Sequence, residues 1–147
     1  MKMKRLGRTG LMVTENSFGA LPIQRIDQQS AVELLHMAYD AGINYYDTAR
    51  AYSDSEEKLG AAFHDRREKI IISTKSQGKT KEQVLADLDT SLKMLRTDYV
   101  DILQLHNIPK RTDPEDPNGI HAALLEAKKQ GKCRFIGITS HRRDVAE

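Results

Sequence analysis

Five short segments rich in Ile, Val, Tyr and Leu, namely SFGALP, INYYDT, KIIIST, YVDILQL and RFIGITS, recur along residues 17–140. They alternate with longer segments whose apolar residues return every three or four positions. The short segments have few polar interruptions, the pattern of parallel strands covered on both faces rather than of strands with one wet face. Strand, helix and strand repeated in this way build right-handed βαβ units. The opening KRLGRTGLMVT reads differently: two apolar runs around Gly7 and Gly10 predict a β-hairpin at about residues 2–14, with the βα units from about residue 16 onward.

Helices are predicted over about 28–41, 53–64, 81–96 and 119–130. Ser30 with Glu33, Ser53 with Glu56 and Thr80 with Gln83 have the spacing of a capping box. Gly42 and Gly131 stand where helix ends need a left-handed residue. Leu85, Leu88, Leu92 and Leu95, and likewise Ala31, Leu34, Leu35 and Ala38, form apolar stripes that belong to a core. Returns from helix to strand are short, whereas NIPKRTDPEDPN, with its two Asp-Pro dipeptides, is long. Functional residues concentrate on such loops at strand C-termini.

Charge and cysteine content narrow the functional classes. Lys plus Arg number 23 against 21 Asp plus Glu, a formal charge of +2, which provides no broad basic face for nucleic acid or anionic lipid. The single cysteine, Cys133, permits no internal disulfide and no thiolate cluster for a metal, as in a protein of a reducing compartment. No apolar run approaches the ~18 residues of a membrane span, and no h-region follows the basic start. The expectation is a soluble, cytoplasmic protein without a metal site.

Three successive strands end in ionisable residues: INYYDT brings Asp47, KIIISTK brings Lys75 and YVDILQLH brings His106. In a parallel sheet these ends share one face, and Tyr52 enters from the loop after Asp47. Each residue alone has an ordinary structural explanation, such as a lysine reaching water; four together at matching positions do not. His36, His64 and His121 fall on helices and are read as structural or surface residues. A lysine ammonium beside a phenol favours the phenolate and lowers the phenol pKa. Asp47 would hold Lys75 protonated, and His106 would donate a hydrogen bond to a substrate oxygen beside Tyr52. This is equipment for protonating a nascent alkoxide, with hydride delivered from elsewhere.

The stretches GINYYDTARAYSDSEEKLG, IISTK and LQLHN, in this order, resemble the aldo-keto reductases across essentially all of residues 4–147. The resemblance implies a (β/α)₈ barrel with an N-terminal hairpin, NADPH as cofactor, a small aldehyde or ketone as substrate, and Asp47, Tyr52, Lys75 and His106 as the catalytic tetrad. It places Gly19, Ala20 and Asp47 beside the cofactor. IGITSH is similar to the family segment that touches the nicotinamide carboxamide, with Thr139-Ser140 where a Ser-Asn pair is common. LQLHN and GITSHR look closest to a microbial subgroup that carries an iron–sulfur segment at its C-terminus.

The 147 residues accommodate about five of the eight strands, since such barrels take ~250 residues. The expected fold is therefore a partial TIM barrel, one incomplete domain over residues 1–147, with about five βα strands in sequential order. A fragment, a truncated product or a half barrel pairing with another chain fits this length. An open sheet would expose an edge suited to self-association, and with most of the cofactor site missing the chain alone would be weakly active or inactive. Two alternatives stand: a non-catalytic binding or assembly module, and a complete doubly wound domain. The latter lacks a G-x-G-x-x-G or P-loop motif, and a reversal in strand order would identify it.

Overall fold

The computed structural model describes residues 1–146. A two-stranded antiparallel hairpin, β1 (Met3–Arg5) and β2 (Met12–Thr14), comes first. A five-stranded parallel sheet follows: β3 (Phe18–Gly19), β4 (Tyr45–Asp47), β5 (Ile71–Ser76), β6 (Val100–Leu105) and β7 (Cys133–Ile138). Its order is β3-β4-β5-β6-β7. Every strand neighbours its successor, so the sheet has no switch point and the doubly wound alternative falls. Between the strands lie α1 (Gln28–Asp40), α2 (Ser55–Phe63), α3 (Lys81–Leu95) and α4 (Ile120–Lys129), and a short α5 (Arg143–Ala146) follows β7. This sequential parallel order, with a helix after each strand, is that of successive units of a (β/α) barrel.

The strands divide into two faces by their period of two. Outward residues such as Ile72, Leu103 and Leu105 join Leu35, Leu59, Phe63, Leu88 and Leu124 of the helices in the main core. On the inner face, Tyr45, Ile71, Ile102 and Phe135 pack on Leu6, Leu11 and Val13 of the hairpin. The hairpin thus floors the N-terminal end of the sheet, and polar inner residues follow above it, at the C-terminal end.

Local signals were partly redirected by tertiary contacts. Thr80 caps α3, accepting from the Gln83 N–H at 3.3 Å, while the Gln83 side chain accepts from the Lys79 N–H at 2.8 Å. The expected box at Ser30 is replaced by Asp27, the residue immediately before the first helical residue, whose carboxylate accepts from the Ser30 N–H. The Ser53–Glu56 box does not form: α2 starts at Ser55, Ser53 lies outside it, and Glu56 turns inward. Gly42 (φ 94°) and Gly131 (φ 75°) take the left-handed conformation as expected. In the α1 stripe Ala31 and Leu35 are buried but Leu34 is exposed, on the flank that the helical period leaves to solvent.

Candidate active site

β4, β5 and β6 deliver their inner residues to one place. Asp47 pairs with Ser73 in register and Lys75 with Gln104. The Lys75 Nζ donates to Asp47 Oδ2 at 2.6 Å and to the Thr48 carbonyl at 2.7 Å. Only 7% of the Lys75 side chain is exposed, and a charge so buried requires such partners. The same Nζ lies 5.3 Å from the centroid of the Tyr52 ring. The Tyr52 ring meets His106 edge-on, with centroids 5.7 Å apart and planes at 83°. The four side chains expected to converge do so.

The loop between β4 and α2 brings Tyr52 there through consecutive backbone turns, Tyr52 N–H to the Ala49 carbonyl and Ser55 N–H to the Tyr52 carbonyl. Thr48 and Arg50 N–H groups donate to the carbonyls of Ser73 and Lys75, continuing the sheet ladder into the loop.

One electrostatic expectation is corrected. The Tyr52 phenol is pushed above its ordinary value, first by burial and then by the Asp47 carboxylate, whereas Lys75 was expected to lower it. The ammonium is engaged by a carboxylate and a carbonyl, so its field at the phenol is largely offset. His106 is held below the ordinary imidazole value by burial and by Lys75, opposed by Asp47. It is therefore neutral at pH 7. Its Nδ1 is buried with no hydrogen-bond partner among the described residues, which leaves a polar atom for a ligand to satisfy.

The residues expected beside a cofactor occupy the same end of the sheet. Gly19 is in register with Asp47, and a Cβ built there meets nothing within 4 Å, so a ligand has open approach to the backbone. Ala20 is fully buried, its N–H donating to the Asp47 carbonyl and its carbonyl accepting from Ser55 Oγ; its backbone is committed internally. Thr139 Oγ1 donates to the Leu105 carbonyl and accepts from the Asn107 N–H; Ser140 Oγ donates to the Ile108 carbonyl and accepts from the Arg142 N–H. Each hydroxyl oxygen keeps one lone pair for an N–H donor. An open glycine and two free acceptors suit a carboxamide-bearing cofactor. No group of three His, Cys, Asp or Glu among the described residues is placed to hold a metal ion.

Gln104 escaped the sequence reading. It faces inward beside Lys75, accepting from Ser73 Oγ at 3.0 Å and packing against Gly137. Counting back by two from His106 along β6 would have found it.

The sequential parallel order and the hairpin floor define a protein of the (β/α)-barrel class. Within that class, the family model described as "Aldo/keto reductase family" matches residues 10–147, and the chain belongs to that family of oxidoreductases. It is 35% identical over 161 aligned positions to L-galactose dehydrogenase of Arabidopsis thaliana, covering 99% of this chain and 50% of that protein. Identity to L-glyceraldehyde 3-phosphate reductase of Escherichia coli K12 is 29%, covering 96% and 46% respectively. Among solved structures, the holo form of aldo-keto reductase AKR11C1 from Bacillus halodurans superposes with a TM-score of 0.85 at 32% identity, over 99% of this chain and 52% of that one. The chain spans about half the length of these relatives.

Proposed function

We propose that the chain carries the acid–base half of a site that reduces an aldehyde or ketone to an alcohol with NADPH. The observation that carries this reading is the buried Lys75 ammonium, clamped by Asp47 and Thr48 at 5.3 Å from the Tyr52 ring centroid. Tyr52 carries its proton at neutral pH, as any phenol does, and burial with the Asp47 carboxylate raises its pKa further. An alkoxide is far more basic than a phenolate, so the proton passes from the Tyr52 hydroxyl to the substrate oxygen as that oxygen gains charge. Lys75, near the ring, stabilises the phenolate left behind. Asp47 holds Lys75 in place. His106, neutral and edge-on to Tyr52, orients the carbonyl by a hydrogen bond. A bound nicotinamide would supply the hydride; Gly19 would line its approach, with Asp47 beside it and the buried Ala20 behind, and Thr139 and Ser140 would accept from its carboxamide. The composition, with a lone buried Cys133, fits a cytoplasmic protein. The chain alone turns over weakly or not at all, and its β7 edge supports self-association.

NADPH oxidation with a reactive aromatic aldehyde tests this, both on the chain at high concentration and on a chimaera in which it replaces the matching half of a related barrel. Tyr52→Phe lowers turnover about 10²–10⁴-fold, the usual contribution of a positioned acid. Turnover in the chimaera that survives Tyr52→Phe contradicts the assignment.

A further inference from the structure

A buried charge behind the site has no part in the proton transfer. Glu56, in the first turn of α2, is fully buried. Its Oε1 accepts from the Thr74 hydroxyl of β5 at 2.5 Å, and its Oε2 pairs with Arg50 Nη1. Taking a carboxylate out of water is costly unless partners compensate it, and here the partners lie on β5 and on the loop that carries Tyr52. Arg50 Nη2 donates to the Ser53 carbonyl at 3.2 Å, and its backbone N–H donates to the Lys75 carbonyl at 2.9 Å. Ser53 has a left-handed φ of 39°, a conformation that is unfavourable for a non-glycine residue and persists only where neighbours enforce it. Arg50 therefore braces the loop on both sides of Tyr52, by its guanidinium at Ser53 and its backbone N–H at Lys75, and Glu56 ties that guanidinium to Thr74 of β5.

We infer that Glu56 is a positioning residue: acting through Arg50, it fixes loop 48–54 against β5 so that the Tyr52 ring rests between Lys75 and His106. This rests on the reading of Tyr52 as the proton donor. α2 has other anchors, since Ser55 Oγ donates to the Ala20 carbonyl and Lys58 Nζ to the carbonyls of Ile23 and Ile26. Loss of the Glu56 charge thus releases the loop without undocking the helix.

The test is NMR on the full chain with ¹³C-labelled tyrosine and histidine. It reads the Tyr52–His106 ring cross-peak and the Tyr52 titration, on which Asp47, Lys75 and His106 also act. Glu56→Gln preserves size and an acceptor for Thr74 but removes the charge that holds Arg50. Arg50→Ala removes the partner, whose side chain is 23% exposed. Both variants lose the cross-peak and bring the Tyr52 titration down toward the ordinary phenol value, and Arg50→Lys restores part of each. Wild-type cross-peak and titration in the folded variants overturn the inference, whatever happens to the melting temperature. Should Glu56→Gln fail to fold, Arg50→Ala decides alone. The cross-peak needs no turnover, so the two failures are told apart: turnover that survives Tyr52→Phe sinks the catalytic reading, whereas an unchanged cross-peak in the Glu56 and Arg50 variants sinks the positioning role alone.

Discussion

The Lys75 ammonium acts on the His106 ring. Its field lowers the His106 pKa while Asp47 opposes it, so the two partners can be separated by titration. Lys75→Met raises the His106 pKa, by removing a nearby cation and freeing the Asp47 charge; Asp47→Asn lowers it further. Histidine ring chemical shifts followed against pH check both signs, and a His106 titration indifferent to Lys75→Met would show the two groups uncoupled. Asp47, Lys75 and His106 were legible in the sequence because each ends a strand, and Tyr52 because it follows Asp47 at a fixed spacing. The direction of the Tyr52 shift was not legible: it depends on how completely Asp47 and Thr48 engage the ammonium, and those partners lie 28 and 27 residues away in sequence.

At the scale of elements, α2 sits close against the end of α3. A Cβ at Gly60 would stand 2.3 Å from the Met94 carbonyl oxygen, with rigid backbone as its obstacle. Gly60→Ala therefore destabilises by about 3 kcal/mol, the upper part of the usual overpacking range. Urea unfolding measures it, and a wild-type midpoint would mean that the helices can part without loss. Thr80→Ala removes the α3 cap bond and costs about 1 kcal/mol in the same assay. Helix cores were readable from apolar spacing, because period is a local property. The start of α2 was not: Glu56 has capping-box spacing from Ser53, yet its carboxylate pairs with Arg50 and Thr74.

For the whole molecule, high pH should be the vulnerable side. Burial raises the phenols of Tyr45, Tyr46 and Tyr52 and pushes the Cys133 thiol from an ordinary 9.0 to about 11. The fold favours the neutral forms, so their contribution is intact below the unfolded values and is lost as pH rises through the folded ones. Stability to urea holds from pH 7 to 8 and falls above about pH 9, the onset of unfolded-state thiol ionisation; a flat profile to pH 11 would contradict this. Sedimentation at increasing concentration tests association through β7, whose residues after Cys133 are more exposed than those of β6.

The sequence by itself determined the parallel βα repeat, the hairpin ahead of it and the strand-end residues, since alternation, helical period and turn residues act over a few neighbours. Only the tertiary structure decided which charges cancel: Lys75 against Asp47, and Glu56 against Arg50. Charge compensation depends on distance and burial, and both are set by strands and helices packed across the fold.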